Sequence, residues 1–308
     1  MAEKIKVVLL AIWYPLAMAS YFRRALERRA DVDLVTTGPF TGTWIPWMGG
    51  MNLNQKYVHS PTYPLPFRPD VGRVPYEMVK VQLPDGYVPD LVLTVDAGIS
   101  WMVKPYNGIV AHVATDPHVL DYSHARLISD KFFNMQKYYM KDKDIYLPYA
   151  FDPTVHYQDN TVSKDTDAVL VGMPYAARVQ WVDALRNRGL TVIFENGPVF
   201  DEYRQLNNRA SIGLNWASSA DLNARVFELM GMGLCPVINR VPDLKEFFVE
   251  DVHYLGFSDL NEAIEKVIAA KNNPEGMKVV AKNAYECVWK NDYTYDARIN
   301  QIFMECGL

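Results

Sequence analysis

The sequence predicts an α/β protein built as two doubly wound domains, and three observations carry that expectation. Its 308 residues exceed one ordinary domain. Unbroken apolar runs recur along it, as strands buried on both faces of a parallel sheet require. These runs alternate with amphipathic segments, and the alternation restarts after Pro148 and Pro153, which marks a boundary near 148–162.

Residues 5–12 (IKVVLLAI) read as a strand, 16–29 as an amphipathic helix and 32–35 as a second strand. Two more runs, 91–95 (LVLTV) and 109–114 (IVAHVA), extend the same sheet. Between them, residues 38–90 are rich in Pro, Gly, Trp and Tyr without periodicity, so they predict irregular loops with one short helix at 75–81. Trp44, Trp47, Tyr57, Tyr63 and Tyr76 give this insertion flat surfaces suited to a sugar or a base. The second half reads strand 167–172, helix 175–188, strand 190–195, helix 200–208, strand 211–216, helix 221–232 and strand 235–238. Helix 243–249, a short strand at 253–256 and helices at 259–272, 275–290 and 293–305 complete it. The expected domains are 1–155, 156–290 and a terminal helix within 291–308 that packs back on the first.

Net charge is −5, shared unevenly: residues 1–158 carry 16 Lys/Arg against 15 Asp/Glu, and 159–308 carry 15 against 21. That balance excludes a bulk polyanion binder. Arg23, Arg24, Arg28 and Arg29 form the best local basic patch, read as a solvated helix face in preference to a DNA or membrane contact. Lys131–Lys141, which mixes aromatics with lysines, reads as a strand edge and not as a nucleic-acid platform. Three cysteines without metal-ligand spacing imply neither a disulfide framework nor zinc. The first apolar run is far shorter than the ~20 residues of a bilayer span and lacks a cleavage pattern, so the expectation is a cytoplasmic protein.

Chemistry concentrates in LNWASSADLNARVFELMGMGLCPVI, residues 214–238: strand, small-residue loop, helix, Gly-rich turn, strand. Ligands of open α/β sheets sit beyond the carboxyl ends of strands, and the small loop Ala217–Ala220 lets backbone N–H groups approach a phosphate. A helix begun at Asp221 puts Asp221, Arg225 and Glu228 on one face, opposite Val226, Phe227 and Met230.

Residues 223–238 (N-A-R-V-F-E-L-M-G-M-G-x-x-P-V-I) resemble the donor segment of GT-B glycosyltransferases, and in particular the CgeB-like, spore-maturation group with its R-x-F-E core. V-G-M-P-Y-A-A-R (171–178), Y-L-P-Y-A-F-D-P (146–153), Y-V-P-D-L-V-L-T-V-D (87–96) and T-Y-D-A-R (294–298) extend the resemblance. It implies two Rossmann-like domains facing a central cleft and a hexosyltransferase-type enzyme using a nucleotide-sugar, UDP-linked, with retention preferred. Glu228 would then accept hydrogen bonds from the ribose hydroxyls, while Arg178 and Arg225 face the diphosphate and offset charge on the departing nucleotide. The donor set implied is Gly172, Tyr175, Arg178, Asn215, Ser218, Ser219, Asp221, Asn223, Arg225 and Glu228. The sequence departs from the wider retaining pattern, which places an acid eight positions before the ribose carboxylate. Ala220 stands there, with Asp221 displaced by one. The loop 13–20 (WYPLAMAS) lacks the glycines many relatives use.

In V-A-H-V-A-T-D-P-H (110–118), His112, Asp116 and His118 fall at the end of a strand, and Asp116 or His118 has chemistry suited to proton transfer at an acceptor hydroxyl. Neither Asp31-Val-Asp33 nor Asp142-Lys-Asp144 makes a convincing cation site, the latter lying between lysines, so no metal is expected. Truncating Glu228 is expected to remove no core. The acceptor stays open among a polysaccharide, a protein, a small molecule and a modified nucleobase in DNA. An epimerase or hydrolase of nucleotide-sugars on the same fold, and a non-catalytic sugar-nucleotide sensor, are the competing readings.

Overall fold

The computed structural model describes residues 3–45, 51–67, 73–96, 98–100, 107–217, 219 and 221–308; Trp47, Ser218 and Ala220 lie outside them. The chain divides into two compact units, one of Met1–Pro148 with Tyr295–Leu308 and one of Tyr149–Thr294.

The first unit opens with β1 (Ile5–Ala11), α1 (Ala19–Glu27) and β2 (Val32–Phe40). The insertion then supplies β3 (Trp44–Ile45), β4 (Met51–Asn52), β5 (Tyr63–Pro66), β6 (Arg73–Pro75) and α2 (Tyr76–Lys80). It continues through β7 (Leu91–Val95), β8 (Gly98–Ser100), β9 (Ile109–Ala114), α3 (Ser123–Ile128), β10 (Lys131–Asn134) and β11 (Ile145–Tyr146). A seven-stranded sheet runs β11-β10-β9-β7-β1-β2-β5, every adjacent pair parallel. The insertion is therefore less irregular than its composition implies: β5 extends the main sheet, β3 and β4 form an antiparallel pair, and β6 pairs with β8. β2 runs five residues past the expected apolar segment. It can do so because Gly38, at φ +132°, lies where any Cβ would collide with the Ala11 carbonyl oxygen.

The second unit contains β12 (Thr166–Val171), α4 (Ala176–Arg186), β13 (Val192–Glu195), α5 (Phe200–Asn208), β14 (Ala210–Asn215) and α6 (Ala224–Gly231). After these come β15 (Cys235–Asn239), α7 (Leu244–Phe247), β16 (Leu255–Phe257), α8 (Leu260–Asn272) and α9 (Pro274–Lys290). Its parallel sheet runs β13-β12-β14-β15-β16. Alternate residues of β12 divide between two cores, as the two-residue side-chain period requires. Ala168 and Leu170 pack with Trp181, Leu185, Phe257 and Val267, while Val169 and Val171 pack with Tyr203, Leu229 and Met232. Helices thus cover both faces, which makes the sheet doubly wound. Asp259 caps α8 by accepting from the Glu262 N–H, and Asn273 caps α9 ahead of Pro274.

The chain ends in α10 (Tyr295–Cys306), which belongs to the first unit and packs on α1. Tyr295, Ile299, Ile302 and Phe303 are buried, and the Tyr295 ring stacks on Tyr21 at 5.1 Å. This contact corrects the reading of the basic patch as a merely solvated face. Arg28 makes a two-pronged pair with Asp296 at 2.8 and 2.6 Å, and Arg29 bonds Asn300 and Asp31. Such half-exposed pairs contribute at most about 1 kcal/mol each, so they set the register of α10 while its apolar face holds it. Cys235, Cys287 and Cys306 are free thiols. Among the described residues, no helix is long and apolar enough to cross a membrane.

Candidate functional site

The carboxyl ends of β12 and β14 in the second unit bring two guanidinium groups together. Gly172 follows β12 with φ +154°, its N–H bonded to the Glu195 carbonyl at 2.8 Å. A Cβ at this position would collide with Arg225 Nη2 and come within 3.3 Å of Arg178 Nη1. The glycine therefore leaves the space that both arginine heads enter.

Arg178 lies in the first turn of α4 and is 6 % exposed, which excludes an ordinary surface arginine. Its Nε and Nη2 donate to the Trp216 carbonyl at 2.9 and 2.7 Å, and Nη1 donates to the Met173 carbonyl at 3.1 Å. The Tyr175 ring, half exposed, lies 4.9 Å from its guanidinium carbon. Burial, helped by the neighbouring Arg225 charge, pulls Arg178 down to about 10, so it remains a cation at neutral pH. Arg225, in the first turn of α6, donates through Nη1 to Asn215 Oδ1 at 2.9 Å, and its buried Nε has no hydrogen-bond partner. All these bonds end on neutral oxygens. Two like charges thus share one end of the sheet, an arrangement that is costly alone and favourable around an anion.

The same helix carries Glu228, which is 8 % exposed. Tyr203 on α5 donates its hydroxyl to Glu228 Oε2 at 2.7 Å, and His156 Nε2 lies 3.8 Å from Oε1. The carboxylate is therefore built into the interior on one side, and the expectation that its truncation removes no core is corrected: removal leaves a buried Tyr203 hydroxyl without its acceptor. Gly231 permits this packing, since a Cβ there would press to 2.9 Å on Phe151 Cδ2 and 3.0 Å on the His156 carbonyl oxygen.

Asp221 needs a second correction. The helix starts at Ala224, because Asn223 is extended (φ −97°, ψ 166°), so Asp221 precedes the helix and does not share its face with Arg225 and Glu228. It is instead a buried residue ahead of the helix whose Oδ1 accepts the Ser219 N–H at 3.2 Å. Its charge still reaches Arg178, which it favours as a cation. Asn215 ends β14, fully buried, and Asn223 caps α6 without a side-chain cap bond, its Oδ1 buried and unpartnered. Of the donor set, only Ser218 falls outside the described residues.

In the first unit the three candidates after and within β9 separate. His112 is internal: its Nδ1 bonds Thr94 Oγ1, its ring stacks on Phe132 at 5.3 Å, and burial pushes it down to about 3, so it is a neutral packing residue. Asp116 is exposed, and His118 packs against the Tyr139 ring at 5.5 Å. Sequence reasoning missed Asp96, the residue after β7. It accepts from the Thr115 N–H at 3.0 Å, Thr115 Oγ1 at 2.6 Å and the Tyr122 hydroxyl at 2.6 Å. Burial raises Asp96 to about 6 against the lowering effect of those bonds. Asp144, the second acid of one D-x-D string, is held by Arg126 at 2.9 and 2.8 Å and by Asn134 at 3.0 Å. Among the described residues, no group of three or more His, Cys, Asp or Glu side chains could hold a metal ion.

With this geometry in view, residues 161–304 match the family described as glycosyl transferase-like. That match covers a little under half of the chain. The matched residues include the whole arginine and Glu228 cluster. Solved structures of low identity share the GT-B architecture over nearly the full length. A sucrose-phosphate synthase from Thermosynechococcus elongatus superposes with TM-score 0.66 at 14 % identity, covering 98 % of this chain and 99 % of that one. Anabaena HepE in complex with UDP and glucose gives TM-score 0.66 at 12 % identity over 98 % and 99 %. An alpha-glucosyltransferase in complex with UDP-glucose and DNA containing an abasic site gives TM-score 0.59 at 9 % identity over 98 % and 100 %. No curated protein matches by sequence.

Proposed function

We propose that this glycosyltransferase moves a hexose from a nucleoside diphosphate sugar, UDP-linked by analogy with the HepE complex, to an acceptor hydroxyl. The convergence of Arg178 and Arg225 on Gly172 carries the reading. A diphosphate in that space turns two mutually repelling cations, Arg178 buried and Arg225 part-buried, into charge-assisted partners. Glu228 accepts from the ribose, and Asn215 fixes Arg225. As the bond from the sugar to the diphosphate breaks, negative charge grows on the leaving phosphate, and the fixed guanidiniums stabilise that charge more than the ground state. Arginines supply the neutralising charge, so the proposed step needs no metal. The first unit is assigned the acceptor and transfer is assigned retention, in which the departing phosphate oxygen takes the hydroxyl proton; under inversion Asp116 or His118 would receive it.

The test is calorimetry with UDP followed by incubation with UDP-sugars and pooled acceptors. Diphosphate binding that is lost in Arg178→Met, together with sugar appearing on an acceptor, is the expected outcome. Undiminished UDP affinity in that variant removes the proposed donor site, and release of free sugar alone replaces transfer by hydrolysis.

A further inference from the structure

The Glu228 carboxylate is held from behind by two side chains that the resemblance does not assign. Tyr203 comes from α5 and His156 from the segment before β12, while Glu228 lies on α6, so three separate parts of the second unit meet at one carboxylate. His156 is fully buried, and its orientation is fixed at both ends of a tight turn. The Asp152 N–H donates to Nδ1 at 3.0 Å, and the His156 N–H donates to the Asp152 carbonyl at 2.7 Å. Because Nδ1 accepts, the neutral ring carries its proton on Nε2, the atom facing Glu228 Oε1 at 3.8 Å. The His156 and Tyr203 rings meet edge to face at 5.6 Å, so each limits the rotation of the other. Burial and the adjacent carboxylate raise Tyr203 well above its usual range, against the lowering effect of the neighbouring Arg225, which keeps its hydroxyl a donor at every working pH.

A carboxylate on a helix rotates about its last torsion in a broad, two-fold well, so its lone pairs do not by themselves point one way. Resting on the donor reading above, we infer that Tyr203 and His156 are positioning residues that fix this rotation. They leave the remaining Glu228 lone pairs aimed at a ribose diol, and they make the site selective for ribonucleoside over 2′-deoxyribonucleoside diphosphates. Neither residue touches the nucleotide in this scheme. Both act through Glu228, and the selectivity arises because a deoxy sugar leaves a fixed, desolvated acceptor unpaired.

The experiment titrates the full chain with UDP, CDP, ADP and GDP, selects the tightest, and compares it with its 2′-deoxy counterpart in wild type, Tyr203→Phe and His156→Asn. Wild type is expected to prefer the ribonucleotide by about 10-fold or more. Tyr203→Phe should lose about 10-fold on the ribonucleotide with little change on the deoxy form, which collapses the ratio toward one. His156→Asn retains an acceptor for the Asp152 N–H and should reduce the ratio by about 2- to 5-fold, in keeping with its longer contact. If Tyr203→Phe does not fold, the His156→Asn ratio decides. A variant that weakens both nucleotides equally, or leaves the ratio untouched, overturns the positioning role while the donor site stands. Failure of wild type to bind any of the four diphosphates overturns the donor reading itself, and this inference with it.

Discussion

Replacing Arg225 with Met should have opposite consequences for the free and the liganded protein, and that opposition is diagnostic of an anion site. In the free protein the substitution removes the bond to Asn215 Oδ1 at 2.9 Å, which costs about 1–3 kcal/mol as a bond from a charged donor. It also removes a buried, unpartnered Nε, worth about 1–3 kcal/mol in the other direction, and relieves repulsion with Arg178 across Gly172. These effects nearly cancel, so stability should stay within about 1 kcal/mol of wild type. With diphosphate bound, one charge-assisted contact of about 1.5–3 kcal/mol is lost, raising the Kd by about 10- to 100-fold. Urea unfolding of the free protein and calorimetry with UDP provide the two readings. A loss of more than about 2 kcal/mol in stability with unchanged UDP affinity would show that Arg225 is a structural tie, and the charge argument would be refuted.

Glu228→Ala should lower stability by about 1–3 kcal/mol in denaturant unfolding, because the Tyr203 hydroxyl loses its acceptor, while Glu228→Gln, which keeps one, should cost less than about 1 kcal/mol. Gly172→Ala places a Cβ among both guanidinium heads at a positive φ. It should weaken UDP by about 10-fold or more in calorimetry and leave uridine affinity unchanged. Asp96 is raised from 3.8 to about 6, so the folded protein retains a proton that the unfolded chain releases in that window. The stability this group gives is therefore present at low pH and lost as pH rises through 6. Asp96→Asn should gain on wild type between pH 4 and pH 7 by up to roughly 2–3 kcal/mol in pH-dependent thermal unfolding, and a flat difference would refute the assignment.

Much of the second unit was legible because its strands are buried on both faces and read as continuous apolar runs, such as Val169–Val171 and Cys235–Ile238. The insertion was not. Tyr63–Pro66 alternates with prolines, which a parallel edge strand tolerates but which no periodic pattern announces. The long β2 was hidden for a related reason, since its second half reads Thr-Thr-Gly-Pro-Phe and its continuation depends on a glycine fitting against Ala11, a tertiary fact. At the site, Arg178, Arg225 and Glu228 could be singled out from local motifs. The role of Asp221 could not, because a helix start is ambiguous by a few residues wherever Asp and Asn both make acceptable caps. Tyr203 and His156 carry no local signal at all. They reach Glu228 only after α5 and the segment before β12 have packed, and Asp96 likewise gains its partners, Thr115 after β9 and Tyr122 before α3, only in the folded sheet.

The central claim, that two guanidiniums and one carboxylate of the second unit hold a nucleoside diphosphate, is tested most directly by a crystal structure with UDP bound. The account predicts phosphate oxygens within hydrogen-bond distance of Arg178 and Arg225 beside Gly172, with the ribose hydroxyls on Glu228. UDP seated elsewhere, or phosphates that leave both arginines on their present carbonyl and amide partners alone, would contradict it.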